Sequence, residues 1–136
     1  DRIDGLGGDD IIYGGNGSDV LIGGLGDDQL VGDRGDDVLN GSRGLNDLFG
    51  GSGHDQFVIG FGTDTIWDFT VGEDAFVLKS GLKFQDLYIT QGTNSQTQET
   101  FTAIFQHGSN VPLALLPGVK SDSLNETDFQ ESNFLA

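Results

Sequence analysis

A nine-residue pattern repeats through the first half of this chain and limits what it can fold into. In GGNGSDVLIGGLGDDQLV, residues 14–31, Gly-Gly, a further Gly two places on, an Asp and an aliphatic residue recur in the same order. The frame runs through 5–13, 14–22, 23–31, 32–40, 41–49, 50–58 and 59–67, with a fragment at 1–4. Its sixth position holds Asp1, Asp10, Asp19, Asp28, Asp37, Asn46, Asp55 and Asp64. Its eighth holds Ile3, Ile12, Leu21, Leu30, Leu39, Leu48, Phe57 and Ile66. Every complete repeat has Gly at the fourth position, from Gly8 to Gly62. Self-similarity at a fixed short period is the mark of a stacked solenoid.

Positions seven to nine make a minimal strand whose middle side chain faces one way and whose neighbours face the other. The eighth-position residues therefore stack inside. Gly8, Gly15, Gly17, Gly24, Gly26, Gly35, Gly44, Gly51, Gly53 and Gly62 supply turns with positive φ and let backbone carbonyls approach a common point. Two repeats close one coil, and coils stack about 4.8 Å apart, the ordinary inter-strand distance. The expectation is an all-β fold, a right-handed parallel β-roll over residues 1–67, followed by an antiparallel β-rich cap over 68–136.

Stacking sets sixth-position residues of alternate repeats above one another. Asp10, Asp28, Asn46 and Asp64 fall on one edge, and Asp1, Asp19, Asp37 and Asp55 on the other. Two carboxylates about 5 Å apart repel by about 0.8 kcal/mol in water and about 3 kcal/mol at an effective dielectric of about 20. Several such pairs rival the whole stability of a domain, about 5–15 kcal/mol. A hard divalent cation between each pair, held by carboxylate and glycine-loop carbonyl oxygens, removes that repulsion. Such a donor set suits several Ca²⁺ ions better than Mg²⁺, and it lacks the His and Cys that Zn²⁺ prefers.

Composition agrees with cations as partners. The 136 residues carry 22 acidic against 6 basic side chains, a formal charge of −16 that repels nucleic acid and anionic lipid. Such charge with 23 glycines suggests disorder, but a strict aliphatic period is not a property of disordered chains. There is no Cys, hence neither disulfide nor thiolate chemistry. No apolar run is long enough for a membrane span. The opening DRID reads as the tail of a repeat, so the chain is expected to be the C-terminal piece of a longer protein with an N-terminal passenger domain.

The frame G-G-x-G-x-D-x-U-x resembles the hemolysin-type calcium-binding, or RTX, repeat. That resemblance covers about half of the chain. It implies a parallel β-roll with Ca²⁺ in its turns, in a bacterial protein exported by type I secretion machinery. Such chains stay unfolded in the low-calcium cytoplasm and fold outside, in the extracellular medium or at the cell surface. Departures mark weaker sites: Asn46 replaces Asp in GSRGLN, with Ser42 at the second position, and Asp33 takes the second position in GDRG. By the same resemblance, DTIWDFTVGEDAFVL (64–78) closes the roll, with Asp68 and Asp74 as candidate ligands of a terminal Ca²⁺.

In the second half, 76–78, 87–90, 100–105 and 112–116 read as strands, 92–99 as a hairpin loop, and 121–129 as a short helix. The terminal ESNFLA (131–136) is compatible with the uncleaved export signal of the resembled family or with a plain tail. Ninth positions of alternate repeats give an apolar ladder, Tyr13, Val31, Phe49 and Trp67. Either the cap folds back onto it, or it is a contact surface for the N-terminal domain, a second copy or a glycan. His54 and His107 have no visible catalytic partners, and no phosphate loop or nucleophile elbow is present. The expected function is a non-catalytic calcium-binding module supporting extracellular folding and type I secretion of a larger protein, which is itself either an enzyme or not. The alternative is a glycan- or surface-binding module of an adhesin or surface-layer protein.

Overall fold

The computed structural model describes residues 1–132. Its strands are β1 (Arg2–Asp4), β2 (Ile11–Asn16), β3 (Val20–Ile22), β4 (Gln29–Arg34), β5 (Val38–Asn40), β6 (Leu45–Phe49), β7 (Gln56–Ile59) and β8 (Thr63–Ile66). They are followed by β9 (Ala75–Leu78), β10 (Leu87–Thr93), β11 (Thr100–Gln106), β12 (Ala114–Pro117) and β13 (Phe129–Glu131). From β1 to β9, odd and even strands alternate between two facing sheets. One has the order β1-β3-β5-β7-β9-β13 and the other β10-β11-β12-β8-β6-β4-β2. Every pair among β1 to β9 is parallel, the register of a solenoid with two repeats per coil.

Register follows from the eighth-position column. Ile12 pairs with Leu30, Leu30 with Leu48 and Leu48 with Ile66 in one sheet. Ile3, Leu21, Leu39, Phe57 and Phe76 do the same in the other. From Leu21 to Phe76 every member of both columns is fully buried. A one-residue slip would turn each of them to solvent, at about 1.5–3 kcal/mol per side chain.

Parallel pairing does not stop with the repeats. β9 pairs with β7 through a step of 19 residues instead of 18, Gln56 facing Ala75, and β13 pairs with β9. This end of the core is aromatic: Phe69 stacks on Phe76 at 4.3 Å, Phe76 on Phe129 at 4.8 Å, and Phe84 tilts against Phe129 at 5.1 Å. The antiparallel part of the cap is β10–β11–β12, and β12 lies parallel to β8, with Ala114 opposite Asp64.

The cap thus extends the even sheet edgewise and does not fold back over the ninth-position ladder. Tyr13 stays 65% exposed and Trp67 49%, with Val31 and Phe49 half-buried between them. The strands expected after residue 75 are present. The short helix expected over 121–129 is instead two 3₁₀ turns, Ser121–Ser123 and Glu126–Asp128, before β13. Leu124 and Asn125 between them are extended, and the Asn125 side chain accepts from the Thr127 N–H. Side chains that bond the local backbone compete with a continuing helix in this way.

Candidate metal centre

The sixth-position side chains form two columns, as the repeat requires, and every rung but that of Asn46 and Asp64 has the same hydrogen bond. The Asp28 Oδ1 accepts the Asp10 N–H at 2.8 Å, and the Asn46 Oδ1 accepts the Asp28 N–H at 2.9 Å. On the opposite edge Asp37 Oδ1 accepts the Asp19 N–H at 2.8 Å, Asp55 Oδ1 the Asp37 N–H at 3.0 Å, and Asp74 Oδ1 the Asp55 N–H at 3.0 Å. Asp28, Asp37, Asn46, Asp55 and Asp74 therefore each hold the backbone of the coil before them. Asp19, Asp28, Asp37, Asn46, Asp55, Asp64 and Asp74 are buried, and Asp10 is half-buried. Asp1 is exposed and joins only through its nitrogen, which donates to Asp19 Oδ1 at 2.6 Å.

The second oxygen of each rung is different. Oδ2 of Asp10, Asp19, Asp28, Asp37, Asp55 and Asp64 is buried and has no hydrogen-bond partner. A buried acceptor left in that state costs about 1–3 kcal/mol. Further oxygens converge on the same places. A Cβ on Gly14 would lie 2.9 Å from Asp19 Oδ2 and 3.0 Å from Gly32 O, and one on Gly32 would lie 2.5 Å from Asp37 Oδ2 and 2.6 Å from Gly50 O. The turns at Gly5, Gly14, Gly23 and Gly32 thus each gather a carboxylate oxygen of their own repeat and a carbonyl oxygen of the next coil.

Among the described residues no three His, Cys, Asp or Glu side chains come together, so a cation here must draw on backbone oxygens as well as carboxylate. That all-oxygen donor set fits Ca²⁺. The turn glycines Gly8, Gly15, Gly17, Gly24, Gly26, Gly35, Gly44, Gly51, Gly53 and Gly62 all have positive φ. Where the second position lacks glycine the backbone keeps that conformation, at Leu6, Asp33 and Ser42.

Charge state reflects the burial. Removal from water raises the Asp28, Asp37 and Asp74 pKa values, opposed by backbone N–H donors and reinforced by neighbouring carboxylates. Burial pushes Asp55 up to about 6 and Asp64 up to about 8. A raised carboxyl pKa means that the folded chain binds more protons than the unfolded one. The metal-free fold is then best supported below about pH 4 and loses that support as pH rises through 6 and 8. Far-UV circular dichroism of metal-free protein should accordingly gain β signal as pH is lowered from about 8 to about 5. A β signal that instead grows with pH would contradict this assignment.

Two sequence-derived candidates have their carboxylates engaged by backbone. Asp68 accepts the Gly50 N–H through Oδ1 and the Gly51 N–H through Oδ2, both at 2.8 Å, while Asp74 accepts the Asp55 and Thr70 N–H groups. His54 and His107 are exposed. His54 Nδ1 lies 3.0 Å from Glu73 O, and the His107 ring is near Tyr88.

Two features escaped the sequence reading. The first-position glycines Gly5, Gly14, Gly23, Gly32 and Gly50 do not have positive φ, yet a Cβ on any of them would strike the carboxylate five residues on. Their signal was recurrence at a position with no conformational need. The other feature is a fifth-position ladder running the opposite way. Asp9 Oδ1 accepts the Asp27 N–H at 2.8 Å, Asp27 Oδ1 the Leu45 N–H at 2.9 Å, and Asp36 Oδ1 the His54 N–H at 2.9 Å.

The family profile of the RTX calcium-binding nonapeptide repeat, in four copies, matches residues 1–30 and 31–66. The fold is also similar to the solution structure of the AlgE6R3 subunit from the Azotobacter vinelandii mannuronan C5-epimerase. That likeness has a TM-score of 0.69 at 25% identity and covers 93% of this chain and 80% of that one. It therefore continues past the repeats into the cap. No curated protein matches the chain. The nine-residue units of this chain, residues 1–66, belong to the RTX family of calcium-binding repeats.

Proposed function

We propose that the chain is the calcium-responsive folding module of a larger secreted bacterial protein. Calcium binds the folded roll and not the unfolded chain, so its concentration sets the folded population. The observation that carries this reading is the set of buried, unpartnered Oδ2 atoms stacked along both edges of the roll. Residues 1–67 respond to the ion, and residues 68–136 cap the roll. RTX proteins are typically secreted, which favours type I machinery as the export route, with the signal in ESNFLA, of which residues 133–136 lie outside the described part. The solved relative is a subunit of an epimerase, and this favours an enzyme as the passenger with the present module as its non-catalytic aid. A calcium titration followed by far-UV circular dichroism, with magnesium as control, tests the proposal.

A second reading rests on the ninth-position ladder. Trp67 stacks on Phe49 at 6.4 Å and 12°, and its Nε1 donates to Asp47 Oδ1 at 2.9 Å, so the ring is held in place while half exposed. Asn94, Thr97, Glu99 and Thr100 line the cleft beside it and supply the polar groups that a sugar site needs next to an aromatic platform. On this reading Trp67→Ala weakens binding to the best glycan in an array about tenfold while leaving the calcium-induced spectrum unchanged. An array with no binder, or a variant that binds as well as wild type, would overturn it.

A further inference from the structure

One turn places a different atom at the point where the others place a carboxylate oxygen. Beside Gly5, Gly23 and Gly32 that atom is Oδ2 of Asp10, Asp28 and Asp37. Beside Gly41 it is Asn46 Nδ2, 2.5 Å from the position of a Cβ, with Asp64 Oδ1 at 2.6 Å. The orientation of the Asn46 amide is fixed by its surroundings. Its Oδ1 accepts the Asp28 N–H at 2.9 Å, while Nδ2 faces Asp64 Oδ1 at 3.0 Å, Arg43 O at 3.4 Å and Ser42 O at 3.5 Å. Turning the amide over would set its carbonyl oxygen against three acceptors and leave Asp28 without one.

One carboxylate and two backbone carbonyls are the oxygen donors a hard cation uses. In this turn they already surround an NH₂ group, a donor with partial positive charge. A cation entering would have to displace that amide and would gain no second carboxylate in return.

We propose that the Asn46 amide stands in for a cation, so that the junction between the 41–46 turn and Asp64 is closed without calcium and persists when the other turns have lost their ions. The junction is well placed to act as a seed. Leu48 and Ile66, two residues beyond Asn46 and Asp64 and paired with each other, are fully buried, and the Asp64 N–H donates to Leu113 O at 3.0 Å, tying the turn to the cap. Calcium then adds the N-terminal coils to an end that is already formed.

This inference rests on the reading that the other turns bind calcium, and the experiment separates the two. Calcium bound per chain is measured by equilibrium dialysis on the full chain and on the Asn46→Asp and Asp64→Asn variants, each checked for folding at saturating calcium. Asn46→Asp is expected to bind one more ion than wild type. Asp64→Asn keeps an acceptor for the Asn46 amide and is expected to bind the same number. In chelator, amides 45–48 should retain hydrogen-exchange protection in wild type and lose it in Asn46→Asp. If Asn46→Asp gains no ion, or Asp64→Asn loses one, the inference fails alone. A wild-type chain that binds no calcium overturns both this and the proposed function.

Discussion

Stripped of calcium, the N-terminal coils are expected to give a coil-like far-UV spectrum and to return cooperatively to β structure as calcium is restored, while magnesium at equal concentration leaves them unfolded. The size of the effect follows from the two columns. Each coil adds buried carboxylates whose Oδ2 has no donor, and each such atom costs about 1–3 kcal/mol. A site with a dissociation constant of about 10⁻⁴–10⁻³ M, as in extracellular modules, contributes about 1.4 kcal/mol at tenfold excess of ion. Several sites in series reach the scale of a domain's stability, about 5–15 kcal/mol. Because neighbouring coils share rungs, the midpoint should be sharp. A full β spectrum in chelator would show that the aliphatic columns and the cap suffice, and would leave calcium a secondary role.

The second large effect separates two glycines that composition cannot distinguish. Gly32 has no positive φ, but its Cβ would meet both the Asp37 carboxylate and the Gly50 carbonyl, and a backbone oxygen has little room to retreat. Gly32→Ala must displace the side chain that holds the Asp19 N–H. Overpacking of that kind costs about 1–3 kcal/mol. The cost is shared among the ions of one cooperative transition, so the calcium midpoint should rise by about twofold or more. Gly7 is exposed, has no positive φ and has nothing within 4 Å of its Cβ position, so Gly7→Ala should leave the midpoint at the wild-type value. Equal shifts in the two variants would remove the carboxylate cradle as the reason for the first-position glycines.

What could be read from sequence was whatever repeats along the chain. The eighth-position column and the sixth-position edges follow from period and strand geometry, and Leu39 or Asp37 could be placed without coordinates. The role of Gly32 could not, because it depends on a contact with a residue five places on and a carbonyl 18 places on. The opposed ladder through Asp9, Asp27 and Asp36 was hidden for a similar reason, since a surface Asp in a turn looks the same whether or not it holds a backbone N–H. The cap lacks a period altogether. Its individual strands are visible as apolar runs, but nothing local told that β12 would join β8 and leave Trp67 half exposed, or that Leu124 and Asn125 would break a helix into two turns.

The direction of the sixth-position bonds makes the two ends of the roll unequal. The sixth-position oxygens of Asp28, Asp37, Asn46 and Asp55 secure largely buried N–H groups of the coil that precedes each, while the bonds that run the other way, to Asp9, Asp27 and Asp36, lie on the exposed side. Trimming from the N-terminal side takes away acceptors on the exposed side, the Asp27 N–H losing Asp9 first. Trimming from the C-terminal side takes away Asp74, then Asp55, and opens in turn the Asp55 and Asp37 backbone groups they close. Loss of a front coil therefore opens exposed N–H groups that water can satisfy, whereas loss of a rear coil opens buried ones that it cannot.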